Sequence, residues 1–136
     1  MNLKNRIPAK VSAVKKGKLN AHVDLMWEST PLSVIVTSGS ADDMNIKKGE
    51  HIEVRFKASD VILAKNIGGF ISARNIFKGT VRKITKGFPL AMVSININGT
   101  VIAAEITLNS LKDMNLATGD QVEAIIKSTE LVLAKI

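Results

Sequence analysis

The feature that most constrains this chain is an internal repeat, which aligns each residue with the residue 70 positions further along without any gap. Matches run from one end of the chain to the other: Asn5 with Asn75, Lys16-Gly17 with Lys86-Gly87, Thr37 with Thr107, Ser40 with Ser110, Gly49 with Gly119, and Leu63-Ala64-Lys65 with Leu133-Ala134-Lys135. In a chain that is not of low complexity, such self-similarity indicates two copies of one structural unit. We therefore predict two tandem domains, residues 1–66 and residues 67–136.

Each copy alternates apolar and polar residues with a period of two, as half-buried strands do. The residues expected to point inward are Ala21, Val23, Leu25 and Trp27, their counterparts Ala91, Val93, Ile95 and Ile97, and the set Ile52, Val54 and Phe56. Gly17 and Gly87 lie between the first two strands, where we expect a turn with positive φ. We predict an all-β fold of two tandem five-stranded OB-like barrels.

Each barrel is predicted to contain one short helical turn, from Ser40 to Met44 and from Ser110 to Met114. A serine would cap each turn, and an aspartate would lie in its first turn. Faces that look apolar on both sides, such as Leu131-Val132-Leu133-Ala134, predict that the barrels associate into an oligomer.

Composition narrows the class of protein without choosing a function. Hydrophobic residues make up 46% of the 136 residues, there is no cysteine, and 19 basic residues outnumber 12 acidic ones for a net charge of +7. The first half carries +4 of this charge and the second half +3. An excess shared in this way favours anionic partners. No apolar run is long enough to span a bilayer, and the first residues do not resemble a secretory signal, so we expect a cytoplasmic protein.

Three polar clusters recur at equivalent places in the two copies. Each offers hydroxyl and backbone N–H donors without a central carboxylate, which suits a tetrahedral dianion because that ion only accepts hydrogen bonds. The clusters are Ser72-Ala73-Arg74-Asn75; Thr107 and Ser110 with their equivalents Thr37 and Ser40; and Lys127-Ser128 with its equivalents Lys57, Ala58 and Ser59. A purely structural interpretation stands beside this one: Thr107 and Ser110 cap a helical turn, and the basic residues are solvated surface charges.

These segments together resemble the Mop family of molybdate-binding domains, which is TOBE-like. The resemblance rests on Ser72-Ala73-Arg74-Asn75, Gly79-x-Val81, Lys86-Gly87, Ile106-Thr107-x-x-Ser110, Leu116-x-x-Gly119 and Ile126-Lys127-Ser128, and the second half matches better than the first. The tandem arrangement is similar to di-Mop proteins, which are free-standing cytoplasmic molybdate binders.

The resemblance implies OB-like barrels assembled into homotrimers, with molybdate or tungstate bound between units and no organic cofactor. The implied ligand residues are Ser72, Ala73, Arg74, Asn75, Thr107, Ser110, Lys127 and Ser128, with first-copy equivalents Thr37, Ser40, Lys57, Ala58 and Ser59. One departure concerns the first motif, where Lys4 stands in place of arginine. A lysine keeps the charge but lacks the planar fork of a guanidinium.

Other functions fit the sequence less well. A single-stranded nucleic-acid-binding OB module usually needs exposed aromatic platforms, whereas Trp27, Phe56 and Phe77 fall on inward positions. The effector-sensing half of a molybdate-responsive regulator would follow a helix-turn-helix, which this sequence does not contain. An enzyme or a metal centre is disfavoured because His22 and His51 lie on different predicted strands, and Met92 and Gln121 occupy the equivalent positions.

Overall fold

A computed structural model describes residues 4–135 of the chain. Ten strands and two short helices follow one another over this range: β1 Lys4–Lys16, β2 Asn20–Trp27, β3 Thr30–Thr37, α1 Ser38–Asp43, β4 His51–Lys57, β5 Ile62–Ala64, β6 Asn75–Thr85, β7 Leu90–Ile97, β8 Thr100–Thr107, α2 Leu108–Asp113, β9 Gln121–Ile126 and β10 Val132–Ala134. Single 3₁₀ turns at Ala58–Asp60 and Ser128–Glu130 precede β5 and β10. The predicted all-β class, with one short helix between the third and fourth strands of each copy, is confirmed.

The strands form two five-stranded sheets in which the repeats exchange their last strands. The first sheet has the order β10-β4-β1-β2-β3 and the second has the order β5-β9-β6-β7-β8. Accordingly, the chain divides into two compact units that do not follow the division of the sequence. The first-repeat unit contains Arg6–Phe56 with residues 127–135, and the second-repeat unit contains residues 4–5 with Lys57–Ile126. The boundary between residues 66 and 67 divides the two sequence repeats. As a boundary between two structural domains it stays a prediction.

Alternation along the strands builds the core of each unit as the sequence predicts. In β2, Ala21, Val23, Leu25 and Trp27 are all buried, and their counterparts Ala91, Val93, Ile95 and Ile97 are buried in β7. The same holds for Ile52, Val54 and Phe56 in β4. β1 and β6 each have a mid-strand irregularity, where the register with the next strand shifts by one residue, as at a β-bulge.

The expectation of positive φ at Gly17 and Gly87 is wrong. Positive φ is found instead at Gly49, Gly69, Gly99 and Gly119. Gly17 and Gly87 are needed for another reason, because the backbone approaches too closely for a side chain. A Cβ on Gly17 would lie 2.8 Å from the carbonyl oxygen of Asn20, and a Cβ on Gly87 would lie 2.6 Å from that of Leu90.

The helices begin two residues earlier than predicted. Each N-cap is a threonine, Thr37 or Thr107, rather than Ser40 or Ser110. No acidic residue lies in either first turn, and Asp43 and Asp113 are the last helical residues. The sequence interpretation was wrong here because serine and threonine are both good caps and stand three residues apart.

Two lysines fasten the exchanged strands at their carboxyl ends. Lys65, which follows β5, forms an ion pair of 3.0 Å with Asp120 and donates to the carbonyl oxygen of Asn115 at 3.3 Å. Lys135, which follows β10, forms the equivalent 2.8 Å ion pair with Glu50 and donates to the carbonyl oxygen of Asn45 at 3.1 Å. The Lys65 ammonium lowers the pKa of the Asp120 carboxyl, and the Lys135 ammonium lowers that of Glu50.

Candidate oxyanion-binding site

Thr107 and Ser110 form a compact pair of hydroxyl groups at the start of α2. The Thr107 hydroxyl donates to the Ser110 hydroxyl at 2.9 Å, and the backbone N–H of Ser110 donates to Thr107 Oγ1 at 3.0 Å. Thr37 and Ser40 repeat both bonds at 2.8 and 3.0 Å. Of the backbone N–H donors predicted for this cluster, that of Ser110 is therefore already used by the cap. All four residues of the two pairs are exposed to solvent.

Strand exchange brings the Lys57–Ser59 segment of the first repeat to the hydroxyl pair of the second. The 3₁₀ turn Ala58–Asp60 packs against β8, which ends at Thr107. Ser59, Thr107 and Ser110 consequently line one cavity of about 360 Å³, together with Val61, Ile62, Leu63, Leu90, Glu105, Ile106 and Met114. Ala58, the first residue of this turn, is buried, while Lys57 immediately before it is exposed.

Glu105 in this cavity is a residue that the sequence analysis missed. Its carboxylate lines the cavity together with the hydroxyl groups of Ser59, Thr107 and Ser110, so a carboxylate does lie beside this cluster, contrary to the prediction. Ile35 stands at the equivalent position in the first repeat. The sequence does contain a signal for this residue. Glu105 lies two residues before Thr107, so the period-two alternation of a strand places both on the same face of β8.

The Lys127-Ser128 segment joins the first-repeat unit in the reciprocal way. The 3₁₀ turn Ser128–Glu130 packs against β3, and Ser128 Oγ donates to Ser33 Oγ at 3.0 Å. Ser33 Oγ lies 2.8 Å from His22 Nε2, which in turn lies 3.0 Å from Asp24 Oδ1. Lys127 is exposed at the start of the turn. No role was predicted for Asp24 or Ser33 from the sequence. Asp24 lies two residues after His22 on the same face of β2, whereas Ser33 reaches His22 only through the β2–β3 register, which pairs Ser33 with Asp24.

Ser72-Ala73-Arg74-Asn75 alternates between exposed and buried positions ahead of β6. Ala73 and Asn75 are buried, whereas Ser72 and Arg74 are exposed. The Asn75 amide donates to the carbonyl oxygen of Ile126 at 3.1 Å, so this side chain ties β6 to β9. Arg74 makes no ion pair within residues 4–135 and leaves its guanidinium to solvent.

The first copy of this motif begins β1. Lys4 is exposed, and the neighbouring Asn5 is buried. The Asn5 amide donates to the carbonyl oxygen of Ala103 at 2.9 Å and accepts from the Ala103 N–H at 2.8 Å. The asparagine of each copy therefore has a demonstrable structural role, while the basic residue before it stays available for a ligand.

Metal-ligating side chains do not gather anywhere in the described part of the chain, where no group of three histidine, cysteine, aspartate or glutamate residues is placed to hold an ion. His22 lies on β2 and His51 on β4, as the sequence predicts. Among the described residues, no helix is long and apolar enough to cross a membrane.

Comparison with known proteins identifies the repeats. The sequence pattern of the TOBE domain matches residues 3–63 and residues 71–133. The molybdenum import ATP-binding protein ModC of Brucella abortus is 34% identical over 127 residues, covering 93% of this chain and 33% of that protein. The molybdenum-pterin-binding protein MopA of Rhodobacter capsulatus is 31% identical over 134 residues, covering 96% of this chain and 51% of its own length. This chain thus spans a third to a half of these relatives.

A solved structure resembles the chain over nearly its whole length. It is a crystal structure of the cytoplasmic molybdate-binding protein ModG with molybdate bound, which is 32% identical, has a TM-score of 0.94, and aligns with 97% of this chain and 96% of its own. Two TOBE matches that together cover most of the sequence, with this agreement in fold, leave one conclusion: the chain belongs to the TOBE domain family and contains two copies of that domain.

Proposed function

We propose that this chain is a cytoplasmic binding protein for molybdate or tungstate, which it stores or buffers without chemical change. The observation that carries the proposal is its likeness to molybdate-bound ModG along the full length of both chains. The hydroxyl pairs at the starts of α1 and α2 provide the chemistry. Because a dianion accepts hydrogen bonds only, clusters of hydroxyl groups with a nearby cation suit it.

The proposed sites combine segments from different repeats. One set comprises Thr107 and Ser110 with Lys57, Ala58 and Ser59, and the other comprises Thr37 and Ser40 with Lys127 and Ser128. Ser72, Ala73, Arg74 and Asn75 would complete sites across subunits of a homotrimer, with Lys4 in the corresponding place of the first copy. Several charge-assisted hydrogen bonds of about 1.5–3 kcal/mol each are enough for micromolar binding.

Single-stranded nucleic acid is not the ligand that we propose. Trp27, Phe56 and Phe77 are buried, so they cannot stack on bases. Phe70 and Phe88 are exposed, but they lie on separate connections before β6 and after it rather than side by side on a strand.

Isothermal titration calorimetry of the purified chain tests the proposal. We expect saturable binding of molybdate and tungstate at micromolar concentrations, and far weaker binding of phosphate. Titration with a single-stranded oligonucleotide at two salt concentrations serves as the control for general attraction of anions to a basic protein. Absence of binding heat with both metal oxyanions at high protein concentration would contradict the proposed function.

A further inference from the structure

Glu105 lacks a bonding partner, unlike the other half-buried carboxylates of the described chain. Each of the others lies against a basic side chain or a backbone N–H; they are Asp24, Glu50, Glu53, Asp60, Asp120 and Glu123. Glu105 is half-buried in β8, yet it forms no ion pair and no hydrogen bond within residues 4–135. No group in this range therefore neutralises its charge.

The neighbouring strand explains why Glu105 has no partner. The β7–β8 register places Glu105 opposite Met92, whose thioether offers no hydrogen-bond donor. In the first repeat the same pair of positions holds Ile35 and His22, so there the basic side chain faces an isoleucine. The two repeats thus differ in charge at this place, and only β8 carries a carboxylate where β3 has an apolar residue.

Glu105 lies close to the hydroxyl pair at the start of α2. It stands two residues before Thr107 on the same face of β8, which separates the two Cα atoms by about 7 Å. Both residues line the cavity of about 360 Å³ that also contains Ser59 and Ser110. We call Ser59, Thr107 and Ser110 the α2 site. A dianion bound to these hydroxyl groups would therefore have an uncompensated carboxylate beside it.

The carboxylate of Glu105 repels a bound dianion, because both are negative and neither can donate a hydrogen bond to the other. At a separation of about 7 Å in water, this repulsion lowers the affinity for the dianion about five- to tenfold. The corresponding hydroxyl pair of the first repeat, Thr37 and Ser40, is called the α1 site. Because Ile35 occupies the position equivalent to Glu105, the α1 site has no such repulsion.

We propose that Glu105 is a specificity-determining residue that lowers the affinity of the α2 site for molybdate and other dianions. This inference rests on the proposed function, because it takes the hydroxyl clusters as binding sites. It implies a tighter class of site at α1 and a weaker class at α2. Two affinities in one chain widen the range of molybdate concentrations over which the protein buffers the free anion.

Removal of the charge gives the test. In calorimetry with molybdate, Glu105→Gln and Glu105→Ile should each raise the affinity of one class of site about five- to tenfold and leave the other class unchanged. Glutamine keeps the size of the side chain, and isoleucine is the residue of the first repeat. Ser110→Ala identifies the affected class, because it removes a hydroxyl group from the same cavity.

The reciprocal substitution and a matched control complete the set. Ile35→Glu places the carboxylate in the first repeat, and it should lower the affinity of the α1 site by a similar factor. Glu28→Gln removes the same charge from an exposed turn at the opposite end of the β2–β3 hairpin from Thr37. It should leave both classes unchanged. Melting temperatures identify any variant that is not folded.

The salt dependence separates repulsion from a change of shape. The Debye length falls from about 10 Å at 0.1 M salt to about 3 Å at 1 M. The difference in affinity between Glu105→Gln and the unchanged chain should therefore shrink towards zero at 1 M salt. A change in the packing of the cavity would give the same difference at both concentrations.

The outcomes distinguish the two proposals. If the unchanged chain binds no molybdate, both the proposed function and this inference are wrong. If it binds molybdate while Glu105→Gln and Glu105→Ile bind it equally well or more weakly, only the inference is wrong. A gain in Glu105→Gln alone would also overturn the inference, because the glutamine amide is itself a donor. So would a gain that persists at 1 M salt.

Discussion

Several residues of the proposed site also have a structural role in the fold. Thr107 caps α2 through its Oγ1, and the same hydroxyl group contacts Ser110. The Asn75 amide ties β6 to its neighbour β9, and the Asn5 amide bonds to the backbone of Ala103 on β8. Arg74 differs, because its side chain is exposed and forms no ion pair in the described residues. Because Arg74 has no structural partner of this kind, we expect its substitution to change ligand binding without changing the stability of the fold.

Arg74→Ala is therefore expected to weaken molybdate binding by about tenfold or more at the sites that use it, since a charge-assisted bond to the anion is removed. Calorimetry measures the affinity, and thermal unfolding should show an unchanged melting temperature. Arg82→Ala, at an exposed position in the second half of β6, the strand that follows Arg74, is the control for net charge. An Arg74→Ala protein with the affinity and stoichiometry of the unchanged chain would remove Arg74 from the proposed site.

At the scale of elements, the exchange of β5 and β10 determines which segments meet. β5 pairs with β9 through Ile62, Leu63 and Ala64, and β10 pairs with β4 through Val132, Leu133 and Ala134. Because each strand has only three residues, the lysine that follows it adds to its attachment. These ion pairs hold the exchanged strands, and through them the 3₁₀ turns that carry Ser59 and Ser128.

The lysine pairs predict a pH dependence of stability. The pKa values of Asp120 and Glu50 are lowered in the folded protein, so their contribution is present above the unfolded values of 3.8 and 4.5 and is lost as the pH falls through the folded ones. Melting temperature measured from neutral to acidic pH should therefore fall less steeply in Asp120→Asn and Glu50→Gln than in the unchanged chain. Asp113→Asn, at an exposed helix end, is the control. Identical acid profiles for all the proteins would contradict a stabilising role for these pairs.

The whole molecule combines two similar units with a net charge of +7. Exposed apolar residues on the exchanged strands, Ile62 and Val132, lie outside the cores of their units. A surplus of positive charge raises the encounter rate with anions, and this effect weakens as salt is added. The proposed preference for molybdate over phosphate therefore cannot come from the net charge, which attracts both anions alike.

Native mass spectrometry is expected to show a homotrimer that gains molybdate in discrete steps. The physical reason is that exposed apolar strands favour association, and that Arg74 and Lys4 contact a ligand only if another surface completes the site. Sedimentation at the same protein concentration is the independent check. A clean monomer that still binds molybdate would contradict sites between subunits.

The sequence by itself determined the repeat, the alternation that places Trp27 and Ile97 in the cores, and the donor-rich character of the clusters. These are local properties, which the period of a strand and the chemistry of a side chain fix over a few residues. The tertiary structure alone decided that Lys57–Ser59 meets Thr107 and that Ser128 meets Ser33. The reason is that Ile-Leu-Ala and Val-Leu-Ala are nearly identical strands, so either sheet edge accepts either one, and only the completed fold selects between them.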